Sequence, residues 1–522
     1  MFRSLATSSL ALIAGAAPVL AEVSPLQVWE NLDRYYSDMG YEITIGSRDE
    51  AGSTLTLTDV EVATRGEAEE IVITIPKLTL QETGDAKVRT VIQGDIIADM
   101  TSHIEGEDDV TAHAQIVMPS NEMLSSGEPD DMLHQLTYPT VKITARFDEA
   151  RDPDAAEMPV TVMLTDMAGE YRSRAGAGMQ STYDMTVAGL DLALAFDDLD
   201  SDDADSGSGS VNATAHIDGL AMNGMMVAPE GQFNMAEAAH EALKAGMSVE
   251  GKVQLGALTG EMRFDGVDDD GAPQSGSASL RTESSEIALT MSRDGITYGG
   301  SALGSSAELT SNDLPFPISY AIEKAAAQVA FPVSKSDEPQ PFRLTYTLAG
   351  LTLADGIWNM FDPDGQLPRD PASLMIDLEG QALMREDLLD PAFGKRMSDE
   401  MAAIDEGETP AEDMPVPFQP ENVTINQFAL DMIGAKAELT GELTIPEGTG
   451  MPVGKVNGTF TGVNDLLEKL ANMGFMPQEQ LMGARMMIAM FARPAEGDPD
   501  QLTTELEFRE DGSVFANGQQ VK

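Results

Sequence analysis

Residues 53–62, STLTLTDVEV, and residues 70–80, EIVITIPKLTL, carry the pattern that decides the fold. Apolar and polar side chains alternate in both, and threonine and β-branched residues dominate. A period of two describes a pleated strand with one buried and one wet face. The pattern extends outward to YEITIG (41–46), VRTVIQGDIIADM (88–100), VTAHAQIVM (110–118) and VKITARF (141–147). Farther on it resumes in YDMTVAGLDLALAF (183–196), SVNATAHIDGLAM (210–222), MSVEGKVQLGALTGEMRF (247–264) and the serine-rich run 278–311. Strands of this kind pair antiparallel. The expected fold class is therefore β-dominated α+β: an extended, twisted antiparallel sheet of several units with short covering helices. A compact pair of β-sandwiches is the alternative.

Helices punctuate the strands. Ser24 to Gly40 has a serine cap, Pro25 in the first turn and Leu26, Trp29, Leu32, Tyr36 and Met39 at helical spacing. Asp313 to Phe331 places Pro315 in a first turn and Ile318, Ile322, Ala325 and Val329 along one face, which predicts a second helix. Three times a strand meets a glycine and then a helix: VNATAHIDGL with Ala236 to Gly246, FRLTYTLAGL with Ile357 to Phe361, and GKVNGTFTGV with Asp465 to Met473. Gly219, Gly350 and Gly462 hold the matching place, where glycine allows a sharp turn from extended chain into helix. Unrelated copies of common grammar would look the same.

The N-terminus has Arg3, an apolar stretch from Leu5 to Leu20 and Val19-Leu20-Ala21, the form of a secretory leader cleaved after Ala21. Polar, turn-rich breaks fall at Asp148 to Pro159 and Asp197 to Ser210, the second the better linker; acidic loops follow at Val333 to Pro341 and Asp405 to Pro420. The expected organisation is a signal peptide (1–21), an N-terminal β-rich unit (22–200), a middle β-rich unit with helices (211–332) and a C-terminal β-rich unit with a Met-rich helical pair (341–522). No later segment offers 18 uninterrupted apolar residues, so no transmembrane anchor is expected and the mature chain should be a soluble periplasmic body.

The chain has 31 Lys and Arg against 88 Asp and Glu, a formal charge of −57, and no cysteine. Such a charge repels nucleic acid, whose binding needs cations to replace counterions. The acids are dispersed, as on a solvated surface. Absence of cysteine removes disulfides, thiolate metal sites, cysteine nucleophiles and lipid-bearing cysteines.

His103, His113, His134, His216 and His240 include no pair at metal-site helical spacing; His103 and His113 could face each other across a hairpin. Asp265, Asp268, Asp269 and Asp270, and Asp362 with Asp364, hint at calcium loops, but neither set completes an EF-hand, and ordinary acidic turns account for both. GMPVGKV lacks the hydroxyl residue of a P-loop, and no nucleophile elbow is present. The sequence thus offers no catalytic, cofactor-binding or metal-binding residues, and a non-enzymatic role is expected. Methionine is the excess: 32 in all, with Met473, Met476, Met482, Met486, Met487 and Met490 near the C-terminus. Thioethers adapt to irregular apolar shapes, as ligand-lining residues or as core filler against a sheet, and core filler is the plainer expectation.

The run FMPQEQLMGARMMIAMFARPAEGDPDQLTTELEFREDGSVFANGQQVK (475–522), with the segments 422–446, 458–475 and 21–43, resembles a family of exported Gram-negative proteins known as domain of unknown function number twenty-one twenty-five. That family's style is similar to AsmA-like envelope proteins, whose curved sheets form apolar grooves for phospholipid. The resemblance implies no catalytic residues. It implies an envelope protein whose partner is a lipid or other apolar ligand held in a sheet-lined groove, or, alternatively, another envelope protein contacted through the sheet surface. Within the block, Pro477 starts a helix, Pro494 follows its end, and Asp511-Gly512 joins two strands, QLTTELEF and SVFANGQQV.

Overall fold

A computed structural model describes residues 23–38, 40–66, 69–103, 110–149, 159–176, 178–198, 209–231, 235–267, 272–405, 416–446 and 451–522. The expected leader lies outside these residues, as do Met39, the centre of the expected linker (199–208) and Asp268, Asp269 and Asp270.

Helix α1 (Pro25–Asp38) begins on a reciprocal cap: the Gln27 N–H donates to Ser24 Oγ at 3.3 Å and the Ser24 N–H to Gln27 Oε1 at 2.9 Å. The chain then meanders. Strands β1 (Glu42–Ala51), β2 (Thr54–Arg65) and β3 (Glu69–Glu82) pair in sequence. Two short strands, β4 (Val88–Gln93) and β5 (Ile96–Ser102), lie end to end along β3. Strand β6 (Val110–Val117) returns along β5 and β7 (Glu122–Glu128) along β4, and the long β8 (Asp131–Glu149) spans both. Next come β9 (Val160–Gly176), β10 (Gly178–Asp198) and β11 (Gly209–Ala228).

After α2 (Met235–Lys244) the arrangement recurs. Strands β12 (Ser248–Leu255) and β13 (Leu258–Val267) lie along β11, β14 (Pro273–Thr282) and β15 (Ser284–Ser292) return along them, and β16 (Gly295–Ser311) spans the pair. The chain continues through β17 (Ile318–Phe331), β18 (Gln340–Leu353), α3 (Asp355–Phe361), β19 (Ala372–Met384), α4 (Pro391–Asp405), β20 (Phe418–Met432), β21 (Ala435–Thr444) and β22 (Val453–Thr461). It ends with α5 (Val463–Asn472), α6 (Gln478–Phe491), β23 (Arg493–Ala495), β24 (Asp498–Phe508), β25 (Val514–Ala516) and β26 (Gln519–Gln520). Among the described residues these 26 strands form one antiparallel sheet, with six short helices. A β-dominated fold with short helices is what the alternation predicts; two sandwiched sheets are not what forms.

A line of interruptions crosses this sheet from strand to strand. Gly46 faces Asp59, Asp59 faces Pro76, and the break passes through Gly94, Ser120, Pro139, Asp166, Ala188 and Gly219. It continues through Gly256, Glu283, Gly304, Glu323 and Gly350. Seven of these residues have positive φ: Asp59 51°, Gly94 89°, Ser120 61°, Asp166 48°, Gly219 81°, Gly304 59° and Gly350 69°. In most strands the break shifts the apolar phase by one, as in β2, where Leu55 and Leu57 precede it and Val60 and Val62 follow. An extra residue of this kind bends a strand while returning its apolar side chains to the same face. We call this line the crease.

The crease explains a helix that does not form. Asp313 to Phe331 is not helical; Ile318 to Phe331 is strand β17. Its apolar residues alternate as Ile318, Tyr320, Ile322 and, after the slip at Glu323, as Ala325, Ala327, Val329. Alternation with one slip reproduces the helical spacing 318, 322, 325, 329. Two of the three strand-glycine-helix copies are corrected likewise. Gly219 and Gly350 sit in the crease inside continuous strands, and only Gly462 (φ 73°) stands at a helix start, that of α5. Helix α4 is unforeseen, and the expected final strand is a hairpin, β25 and β26, turning at Asn517-Gly518 with φ of 51° and 81°.

A Cβ on Gly350 would lie 2.4 Å from Glu323 Cγ. With φ at 69°, Gly350→Val is expected to cost about 1–3 kcal/mol, as β-branched residues resist left-handed backbone. A chemical-denaturation midpoint equal to that of the parent chain would refute a structural role for the crease glycine.

Candidate functional site

Cross-strand pairing sets side chains directly opposite one another on one face, so the register shows what each face carries. One row can be followed almost without interruption. It begins at Leu55 and Leu80, passes Thr90, Met123 and Leu136, and reaches Gly169, Met185 and Met222. It runs on through Val253, Ile287, Gly300 and Ala327 to Tyr346, Ile376, Phe428 and Leu439. Beyond the crease a second row joins Ile96, Ile116, Ile143, Val162, Leu192 and Ala215 to Gly260, Leu280, Ala307 and Tyr320. The opposite face is polar, for example along Glu170, Asp184, Asn223 and Lys252.

The apolar face is covered in some places and bare in others. At its N-terminal end α1 lays Val28 and Trp29 on Leu55, Leu57, Leu80, Val88 and Met132. Helix α2 brings Ala242 and Leu243, and the turn after it Met247, against Val249, Met291 and Ile296. Farther along the strands that α2 packs on, Ile287 of β15 is 44% and Tyr298 of β16 54% exposed. Large exposed apolar residues on a sheet face lose the burial that ordinarily favours them, which marks a surface built for contact.

Beneath α1 the face forms a half-open cavity of about 300 Å³. It is lined mainly by apolar side chains from α1 and the first strands, among them Leu32, Ile75, Leu78, Ile92 and Met185. Tyr35, Tyr36, Tyr138 and Tyr171 add aromatic walls. Burial pushes all four phenols up, Tyr138 to about 12, so each is a neutral hydroxyl at ordinary pH. Thr90 is 5% exposed and lines the cavity with a hydroxyl that has no hydrogen-bond partner among the described residues.

At His134 the cavity lining meets a buried polar chain. His134 Nδ1 lies 2.8 Å from Ser125 Oγ, His134 Nε2 lies 3.3 Å from Asn31 Oδ1, and Ser173 Oγ donates to the same Asn31 oxygen at 2.9 Å. The His134 ring stacks on Tyr171, 5.6 Å between centroids. Burial pushes the histidine down to about 4, so it is neutral, with Nε2–H donating to Asn31 and Nδ1 accepting from Ser125. Serine, histidine and amide in series resemble a nucleophilic relay, but Ser125 and His134 are completely buried, so a substrate has no access to the hydroxyl. Their evident work is to pin Asn31, and with it α1, to the sheet.

The other singled-out residues stay apart. His113 pairs with Asp99 at 2.6 Å across β5 and β6, rather than with His103. His216 lies between Asp191 (2.7 Å) and Asp218 (3.1 Å) on the polar face, and those carboxylates raise it. His240, in α2, has a buried Nδ1 without a hydrogen-bond partner among the described residues. Asp265 is in β13. Asp362 is wholly buried and accepts from the Gln366 and Leu367 N–H groups at 2.8 and 2.9 Å, which makes its turn a backbone-capped loop rather than a cation cradle. Among the described residues no group of three His, Asp or Glu is placed to hold a metal, and no helix is long and apolar enough to cross a membrane. The cavity went unseen in the sequence because its walls come from eight strands and a helix; their only local signal is the strand alternation itself.

Residues 271–521 match the model of the family DUF2125, described as an uncharacterized protein conserved in bacteria. The match takes in the C-terminal block that carries the resemblance, while the opening segment 21–43 lies outside it. No curated protein and no solved structure matches the chain.

Proposed function

We propose that this chain, whose C-terminal half belongs to the DUF2125 family, is a non-enzymatic protein of the bacterial cell envelope. In this reading it binds a lipid or another extended apolar ligand on the creased sheet. The carrying observation is the apolar row that crosses the sheet in register and is bare around Ile287 and Tyr298. A flexible hydrocarbon chain suits such a surface because it gains burial at every strand without needing a directional partner. The α1 cavity supports the same reading: apolar walls with one unpaired hydroxyl accommodate the end of an apolar molecule bearing a single polar atom. Placement in the periplasm rests on the leader-like N-terminus, and the charge of −57 suits a protein that stays dispersed.

Mass spectrometry of the gently purified chain is expected to find bound lipid. Ile287→Asp and Tyr298→Glu should abolish it, since each buries a carboxylate in the ligand contact. Thr290→Asp, on the polar face beside Glu250, should leave it unchanged. Lipid-free parent protein, or equal lipid in all four proteins, would exclude the proposal.

A second reading has its own observation. Strand β1 pairs along one side only, with β2, among the described strands. A partner chain could add there by β-augmentation. Crosslinking from Thr44 in envelope extracts would then recover one defined protein, and its absence together with bound lipid would favour the first reading.

A further inference from the structure

The methionines of α6 do not fill the core. Met482, Met486, Met487 and Met490 are 68, 75, 60 and 48% exposed, while the helix anchors through Leu481 and is followed by the buried Ala492. Leucine forms helix as well as methionine does, and neither shape nor burial selects a thioether at an exposed site. What distinguishes methionine there is its sulfur.

We infer that this face of α6 binds a soft monovalent metal ion, Cu(I). Met486 and Met490 are four residues apart and Met487 and Met490 three apart, so both pairs are neighbours on the helix surface, with Cβ atoms about 5–6 Å apart. Long helical side chains lean toward the N-terminus, onto the residues three and four before them. Met490 therefore lies over the gap between Met486 and Met487, and Met486 leans toward Met482. By this helical spacing the three thioethers can turn to one point, with Met482 a fourth within reach. Neutral sulfur donors select Cu(I) over the hard divalent ions that carboxylates prefer. Arg485, on the same helix, is already paired with Glu468. The acidic molecule as a whole raises the local concentration of cations.

The test titrates the full chain with Ag(I), a redox-inert probe of the same softness, in chloride-free buffer, and with Cu(I) in competition with a chromogenic chelator. One ion per chain is expected to bind first, shifting the Met486, Met487 and Met490 methyl resonances. Met486→Leu with Met490→Leu keeps the helix and its apolar surface, and should weaken binding by more than about a hundredfold, the most that losing a mere outer-shell partner of a ligand costs. Met360→Leu and Met451→Leu, exposed methionines far along the chain from any other, should have no effect. Thioethers carry no proton, so affinity should stay level from pH 8 to pH 5. Unchanged affinity in the double-leucine variant would overturn the proposal. So would affinity that falls as carboxylates or histidines titrate. Neither outcome bears on lipid binding by the sheet.

Discussion

Trp29→Ala is expected to cost about 3–5 kcal/mol, the usual loss for truncating a buried aromatic, and to detach α1 from the sheet. Trp29 is 7% exposed and packs with Val28 against the two best-buried leucines of β2, Leu55 and Leu57. Removing the indole opens a void on one side while the polar chain through Asn31 must still be held on the other. A helix of 14 residues is marginal by itself in water, so once its packing goes the helix goes too. Native-state hydrogen exchange should then show fast exchange in α1 with β16 to β22 still protected. Protection of α1 equal to that in the parent chain would mean that the tryptophan does not carry the contact.

Lowering the pH from 6.5 to 4 is expected to remove about 3 kcal/mol of the stability of the α1 end through His134 alone. The group's ordinary value is 6.5 and burial lowers it to about 4. The unfolded chain therefore takes up the proton first. Stability is complete above pH 6.5, falls as the pH drops, and stops falling once the folded protein is protonated below about 4. Its neutral ring cannot gain a second donor without leaving Ser125 facing N–H rather than an acceptor. His216 acts in the opposite sense, since Asp191 and then Asp218 raise it; its contribution is present at low pH and lost as the pH rises through its folded value. The measurement therefore belongs in a His216→Gln background, between pH 6.5 and 5, above the range where depressed carboxylates such as Asp131 and Asp377 begin to protonate. Denaturation followed by Trp29 emission in a Trp358→Phe chain should show the slope, and His134→Gln should flatten it. A slope that survives His134→Gln would assign the effect elsewhere.

Both predictions concern the same part of the molecule: a helix laid over one end of an apolar sheet face and held there by one aromatic and one histidine. Loosening α1 would extend the bare surface by the area it now covers. The proposed ligand surface and the helix are therefore linked, and a chain with α1 detached should bind apolar probes over more strands.

Much of this was legible in the residues themselves. The alternation in STLTLTDVEV and EIVITIPKLTL holds because side chains on a strand point to opposite faces in turn, and no other regular structure satisfies it. Helices α1 and α6 announced themselves through caps, prolines and spacing, and α2, α3 and α5 through runs in which a strand meets a glycine. The slip in STLTLTDVEV, Leu55 and Leu57 against Val60 and Val62, is also written in the sequence. Alone it is one irregularity in one strand. In β17 the same irregularity imitates a helix, because a period of two with one extra residue places apolar side chains at intervals of four, three and four.

Composition and alternation by themselves determined a β-dominated chain with one apolar and one polar face per strand, since both follow from local geometry. Tertiary structure alone decided three things. It aligned the separate slips into one crease, because only hydrogen-bonded register sets Asp59 beside Pro76 and Gly304 beside Glu323. It closed Asn31, Ser125, His134 and Ser173 into one buried chain although up to 142 positions separate them. It also left the α6 methionines in solvent, for a helix sequence tells which residues share a face but not what, if anything, will cover it.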